Sequence, residues 1–104
     1  MALATLRRYL HAWAVEGPTR ASRYLVAPQR VRNDRGAPLL ASGTVESHRL
    51  YRWSRGARFT LLVTMDLHFA SNPMAWNRGS NTRFVTVHLR RHPRRYLLEL
   101  ATGP

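Results

Sequence analysis

Leu3, Leu6, Leu10 and Trp13, with Ala14 alongside, recur at spacings of three and four residues, while Thr5, Arg7, Arg8 and His11 fall between them. That period places the apolar set on one side of a helix running from the N-terminus to about Val15. Gly17-Pro18 ends it and starts another, because proline lacks the N–H that a first helical turn leaves unpaired anyway. The second helix carries Ala21, Tyr24 and Leu25 inward and is expected to stop before Pro28. From Gln29 to Ser42 the arginines, Asn33, Asp34, Gly36 and Pro38 read as a loop, so the pattern marks a helix pair and no third helix.

Beyond Ser42 the period changes to two. Thr44 to Trp53, Arg58 to Phe69, Arg83 to Arg90 and Tyr96 to Ala101 are the predicted strands. Short links make consecutive strands antiparallel neighbours. In the second strand Phe59, Leu61, Val63, Met65, Leu67 and Phe69 share a face. A bulged three-residue loop with Gly56 left-handed pairs Tyr51 with Phe59 and Val45 with Met65, apolar against apolar. The turn through Arg91-His92-Pro93-Arg94 sets Val85, Val87 and Leu89 against Leu100, Leu98 and Tyr96. One sheet face is thus apolar, and the first helix has the stripe to cover it. Residues 1–104 are expected to form a single α+β domain, an N-terminal helix pair packed on a curved four-stranded antiparallel sheet.

The order of a helix pair, a basic loop, a long hairpin and two further strands resembles the nuclear transport factor 2-like superfamily, a cone of helices on a curved sheet. The stretches that carry the resemblance are Leu6-Arg7-Arg8-Tyr9-Leu10-His11-Ala12-Trp13-Ala14 and Trp76-Asn77-Arg78-Gly79-Ser80-Asn81-Thr82-Arg83-Phe84-Val85-Thr86-Val87. The closing Tyr96 to Pro104 segment looks like the last strand of small bacterial members. The resemblance implies either a pocket enzyme of the isomerase or dehydratase kind or a non-catalytic adaptor or scaffold, and membership does not choose between them. It also implies dimerisation through the sheet. Trp76, in the longest sheet loop, is expected to cap the core; in a cone it would sit at the pocket mouth with Trp13 and Tyr24.

The other sheet face is mixed. It is expected to carry Glu46, His48, Leu50 and Arg52 on the first strand, Arg58, Thr60, Leu62, Thr64, Asp66 and His68 on the second, Phe84, Thr86, His88 and Arg90 on the third, and Leu97 and Glu99 on the last. Leu50, Leu62, Phe84 and Leu97 make it a candidate interface for a second copy or another subunit. In simple register Asp66, Thr86 and Glu99 form one row, with the two carboxylates roughly 10 Å apart at about 4.8 Å per strand. That spacing suits acid and base work around a water, with His68 or His88 moving a proton. Solvated polar positions neutralised by arginine are the plainer explanation.

His48, His68 and His88 sit on different strands, and none has a zinc-type local partner; with no cysteine present, neither a metal nor another cofactor is expected. No nucleophile elbow or phosphate-binding glycine loop occurs. These absences favour a binding or assembly module over an enzyme.

Charge adds the last constraint. All seventeen basic residues are arginine, against five carboxylates, for a net charge of +12. Codon bias accounts equally well for the missing lysine, but not for the missing acid. Hydrophobic residues make up 44%, too many for a disordered basic tail. The arginines gather in three places: Arg20 to Arg35; Arg49, Arg52, Arg55 and Arg58 beside Tyr51 and Trp53; and Arg90, Arg91, Arg94 and Arg95. The two hairpin sets are candidate anion-binding residues for an acidic protein, a nucleic acid or an anionic membrane surface. No recognised nucleic-acid motif stands behind them. No apolar run reaches membrane-spanning length and the N-terminus lacks the serines of a transit peptide, so a cytoplasmic location is expected.

Overall fold

Helix α1 spans Ala2–Glu16 and buries Leu6, Tyr9, Leu10 and Trp13, as its period requires. The computed structural model describes residues 2–34, 36–54, 58–91 and 94–101. Each large side chain fully buried this way contributes on the order of 1.5–3 kcal/mol. Gly17, at φ +94, breaks the helix, and Pro18 opens α2, a single turn over Pro18–Ala21. A 3-10 turn at Ser22–Tyr24 continues it.

Here the structure departs from the expected loop. A third helix, α3, covers Ala27–Asp34. The second helix stops before Pro28, as expected, at Tyr24. Pro28 occupies the first turn of α3, where its missing N–H costs nothing. Proline is both a stop and a start signal, and the expected loop reflects only the first. The inward residue of α3 is also polar, so no apolar stripe marks the helix: Gln29 is buried. Its side-chain N–H donates to the Leu100 carbonyl at 2.6 Å, and its side-chain oxygen accepts from the Leu100 N–H at 2.9 Å.

The strands are β1, Leu40–Ser54, β2, Arg58–Phe69, β3, Gly79–Arg90, and β4, Arg95–Leu100. They form one open antiparallel sheet in the order β1-β2-β3-β4. The α+β class and the helices-then-sheet order are therefore as expected. Val63, Met65, Leu67, Val85, Val87, Leu98 and Leu100 supply the buried face against α1. At Gly43 the layers approach so closely that an added Cβ would lie 2.9 Å from a Leu67 methyl and 3.6 Å from one of Leu10.

Register in the first hairpin follows expectation at Val45–Met65 but not at the tip, where Trp53, not Tyr51, pairs with Phe59. Irregularities between Leu40 and Ser42, Val45 and Ser47, and Leu50 and Arg52 each give β1 one extra residue. Each such bulge flips the downstream side chains and increases local twist. His48 and Leu50 consequently pair with Val63 and Leu61 and stand on the helix side of the sheet. Arg49 and Arg52 take the opposite face, across from Leu62 and Thr60. The expected Gly56 loop conformation lies outside the described residues.

The two sheet edges are treated differently. The bulged β1 is one edge, and bulges discourage pairing with another chain. On the other side, Leu25 forms a parallel bridge to Leu98, the Val26 N–H donates to the Leu98 carbonyl at 2.9 Å, and Gln29 continues the row with its amide. Gln29→Ala removes both bonds to Leu100 and leaves two buried backbone groups unpaired. It is expected to lower stability by about 2–4 kcal/mol in urea unfolding. A loss of only a few tenths would show that the β4 edge does not depend on this side chain.

Candidate functional site

At the sheet end away from the two hairpin turns, α1, α3, the α3–β1 link and the β2–β3 loop leave a cavity of about 210 Å³. Trp13 and Tyr9 of α1 form one wall, with ring centroids 5.7 Å apart. Trp13 donates its indole N–H to the Pro38 carbonyl at 2.9 Å, which ties the link to the helix. Trp76 comes over from the β2–β3 loop, 5.6 Å from Trp13, and is half-buried against the core. Trp13 and Trp76 thus meet at the cavity. Tyr24 does not join them; it lies by the start of β4 with Arg23 over its ring at 4.7 Å.

Two arginines line the cavity, the exposed Arg32 of α3 and the buried Arg83, which the alternation of β3 contains. The face of Val85 and Val87 extends backward to Arg83 and Asn81, which places a cation and an amide at core positions. Both are buried, Arg83 to 5% exposure. Asn81 binds the loop backbone: its side-chain oxygen accepts from the Asn77 N–H at 2.8 Å, and its side-chain nitrogen donates to the Asn77 carbonyl at 2.7 Å.

Arg83 donates to the carbonyls of Thr82 and Ala75 at 3.1 and 3.2 Å, and its guanidinium lies 4.8 Å from the Trp76 ring centroid. Its Nε has no hydrogen-bond partner among the described residues, and none of the ion pairs they form involves it. Burial lowers its pKa from the ordinary arginine value. Burial likewise raises that of the Tyr9 phenol, opposed in part by a hydrogen bond with Asn33. At the cavity rim Met74 adopts φ 57, a left-handed conformation uncommon for a side chain of this size.

The four polar residues considered for acid–base work lie elsewhere. Asp66 pairs with His68 at 3.0 Å, and Glu99 with His88 at 3.0 Å. Register places Asp66 opposite Ser80, whereas Glu99 stands opposite Thr86, which in turn faces Thr60. Asp66 is six residues from Thr60 along β2, or about 20 Å at the rise of a strand. The expected row of Asp66, Thr86 and Glu99 does not form, and no single water can serve both carboxylates. Neither of these hydrogen-bonded pairs lines the cavity.

The outer sheet face carries the Thr60–Thr86 and Thr64–Thr82 hydroxyl pairs, at 3.0 and 2.9 Å. Tyr51, in the last β1 bulge, packs against Phe84 with ring centroids 4.6 Å apart and the planes tilted by 56°. Of the four expected interface residues, Leu62 and Phe84 are half-buried on this face. Leu50 is on the other, and Leu97 is only 4% exposed. Arg49, Arg52, Arg58, Arg90, Arg91, Arg94 and Arg95 are all exposed, and Arg55 lies outside the described residues.

Among the described residues no helix is long and apolar enough to cross a membrane. Comparison with protein-family models, curated proteins and solved structures finds no match.

Replacing Trp13 by phenylalanine keeps a ring in the cavity wall but leaves the buried Pro38 carbonyl without its donor. The expected cost is about 1–3 kcal/mol in urea unfolding. Unchanged stability would mean that the α3–β1 link is held by something other than this bond.

Proposed function

We propose that this chain is a non-catalytic binding module of nuclear transport factor 2-like architecture, and that its cavity takes a small organic anion. The observation that carries the reading is Arg83: a cation at 5% exposure, at a core position, lining a cavity, with no carboxylate paired to it among the described residues. A buried charge without a counter-ion is expensive, and an entering carboxylate supplies the missing partner.

The walls specify the rest of the ligand. Trp13, Trp76, Leu25 and Leu100 offer flat or aliphatic surface, while Gln29 and Asn33 add polar atoms. A cavity of about 150 Å³ holds benzene, so about 210 Å³ suits one aromatic ring, or a compact fused pair, bearing a carboxylate. The helix-then-sheet order supports the proposed architecture. The separation of Asp66 from Glu99, and of both from the cavity, weighs against the enzyme alternative.

Two of the three tryptophans line the cavity, so binding is readable in their emission. Benzoate and indole-3-carboxylate are expected to change it saturably, and benzamide to bind at least about tenfold more weakly, since it lacks the charge. Arg83→Met is expected to abolish carboxylate binding while changing stability by less than about 1 kcal/mol, because it also removes an uncompensated buried charge. Equal binding of benzoate and benzamide, or full binding by a folded Arg83→Met protein, would overturn the assignment. A failure of Arg83→Met to fold would leave the benzamide comparison decisive.

A further inference from the structure

The opposite end of the sheet presents a different chemistry. Arg90 and Arg95 are direct cross-strand partners, and like charges at such positions repel. Arg91 and Arg94 adjoin the same turn. Beside it, where the start of β4 meets α1 and the 3-10 turn, lies a groove of about 520 Å³ lined by Arg8, Arg23, Arg94 and Arg95 with Tyr24 and Tyr96. Among the described side chains Arg23 is the only arginine in an ion pair, with Glu16 at 2.9 Å.

On the neighbouring hairpin, Arg52 and Arg58 accompany two outstanding aromatics, Tyr51 at 54% and Trp53 at 69% exposure. Tyr51 rests on Phe84 of the outer face and Trp53 on Phe59 of the helix side, so one ring stands on each side of the sheet.

We propose that this end binds single-stranded nucleic acid, with phosphates along the groove and the Arg90–Arg95 turn and bases stacked on Tyr51 and Trp53. The site is separate from the Arg83 cavity, and the inference does not rest on it. Three features select the occupant. Arginines set opposite one another need an anion between them. A groove admits a chain and not the plane of a bilayer. Exposed rings interleaved with guanidinium groups match bases between phosphates, whereas an acidic peptide has nothing to stack there.

Fluorescence anisotropy with a labelled oligothymidine of about twenty nucleotides tests it. With roughly four phosphates engaged, affinity is expected to fall about fifty-fold between about 50 and about 200 mM salt. Arg94→Ser/Arg95→Ser is expected to weaken binding at least about tenfold and to flatten the salt slope by about 1.4. Tyr51→Ala/Trp53→Ala is expected to weaken it by a similar factor with the slope unchanged. All four side chains are outside the core, and circular dichroism verifies folding.

Arg7→Ser/Arg78→Ser removes the same charge from outside the groove and tips, and is expected to change affinity less than about twofold. If it weakens binding as much as Arg94→Ser/Arg95→Ser does, attraction is by net charge alone and the site is refuted. No binding at the lowest salt refutes it too. So does polyglutamate, or phosphatidylserine vesicles, binding as tightly as the oligonucleotide with the same sensitivity to Arg94→Ser/Arg95→Ser.

Discussion

A helix too short for the sheet it covers governs the arrangement of this molecule. Fifteen residues of α1 reach about 22 Å, whereas the twelve residues of β2 reach about 40 Å. The helix therefore buries the middle of the apolar face, from Leu67 and Met65 through Val63; it meets the start of β4 through Thr5 and Arg8 but leaves the tip of the β1–β2 hairpin uncovered. Leu61 and Phe59 are only half-covered, and Leu50 and Trp53 stand largely exposed. At its other end the helix needs a lid, which α3, the link to β1 and the β2–β3 loop supply. Mismatch in length thus produces two unlike ends, one enclosed and one open.

The enclosed end is held by polar groups in places where cores ordinarily use apolar ones. Gln29 stands in for a strand by binding both backbone groups of Leu100. Asn81 binds the loop that carries Trp76. Arg83 fixes the same loop through Ala75 and Trp76. Gln29 is satisfied by neutral backbone groups, and Asn81 by the loop backbone with a further bond from Arg83 at 3.4 Å, so both account for themselves as structural bonds. Arg83 does not, because carbonyl oxygens and a ring face offset a full charge less well than a carboxylate does. That asymmetry among three buried polar residues separates the ligand-facing group from the scaffold.

Much of this was legible in the chain, and what was not has identifiable causes. The stripe Leu6, Leu10, Trp13 and the alternation of Val63, Met65 and Leu67 express the hydrophobic effect directly, so α1 and the central strands follow from spacing alone. Helix α3 was hidden because its docking residue is an amide, which no hydrophobic period can reveal. The bulges of β1 were hidden because an extra residue in a strand leaves no compositional trace. The one between Val45 and Ser47 moves His48 and Leu50 across the sheet, and the one between Leu50 and Arg52 separates Trp53 from Tyr51. Arg83 was visible in principle: counting back by twos from Val87 reaches it. Composition alone makes it one arginine among seventeen, and only its position in phase with the core distinguishes it.

The open end shows why the arginine excess is a local matter and not merely a net charge. Of the carboxylates whose side chains are described, three are already engaged: Glu16 by Arg23, Asp66 by His68 and Glu99 by His88. Two of those three pairs use histidine, so they draw acid away from the arginines instead of neutralising them. Arg90 and Arg95 are left directly opposite one another across β3 and β4. Folding brings these groups together through the pairing of β3 with β4, since Arg90 can sit opposite Arg95 only if Val87 packs against Leu98. Core packing thus imposes the repulsion at the tip, and only a change at the surface, by substitution or by an anion, can relieve it.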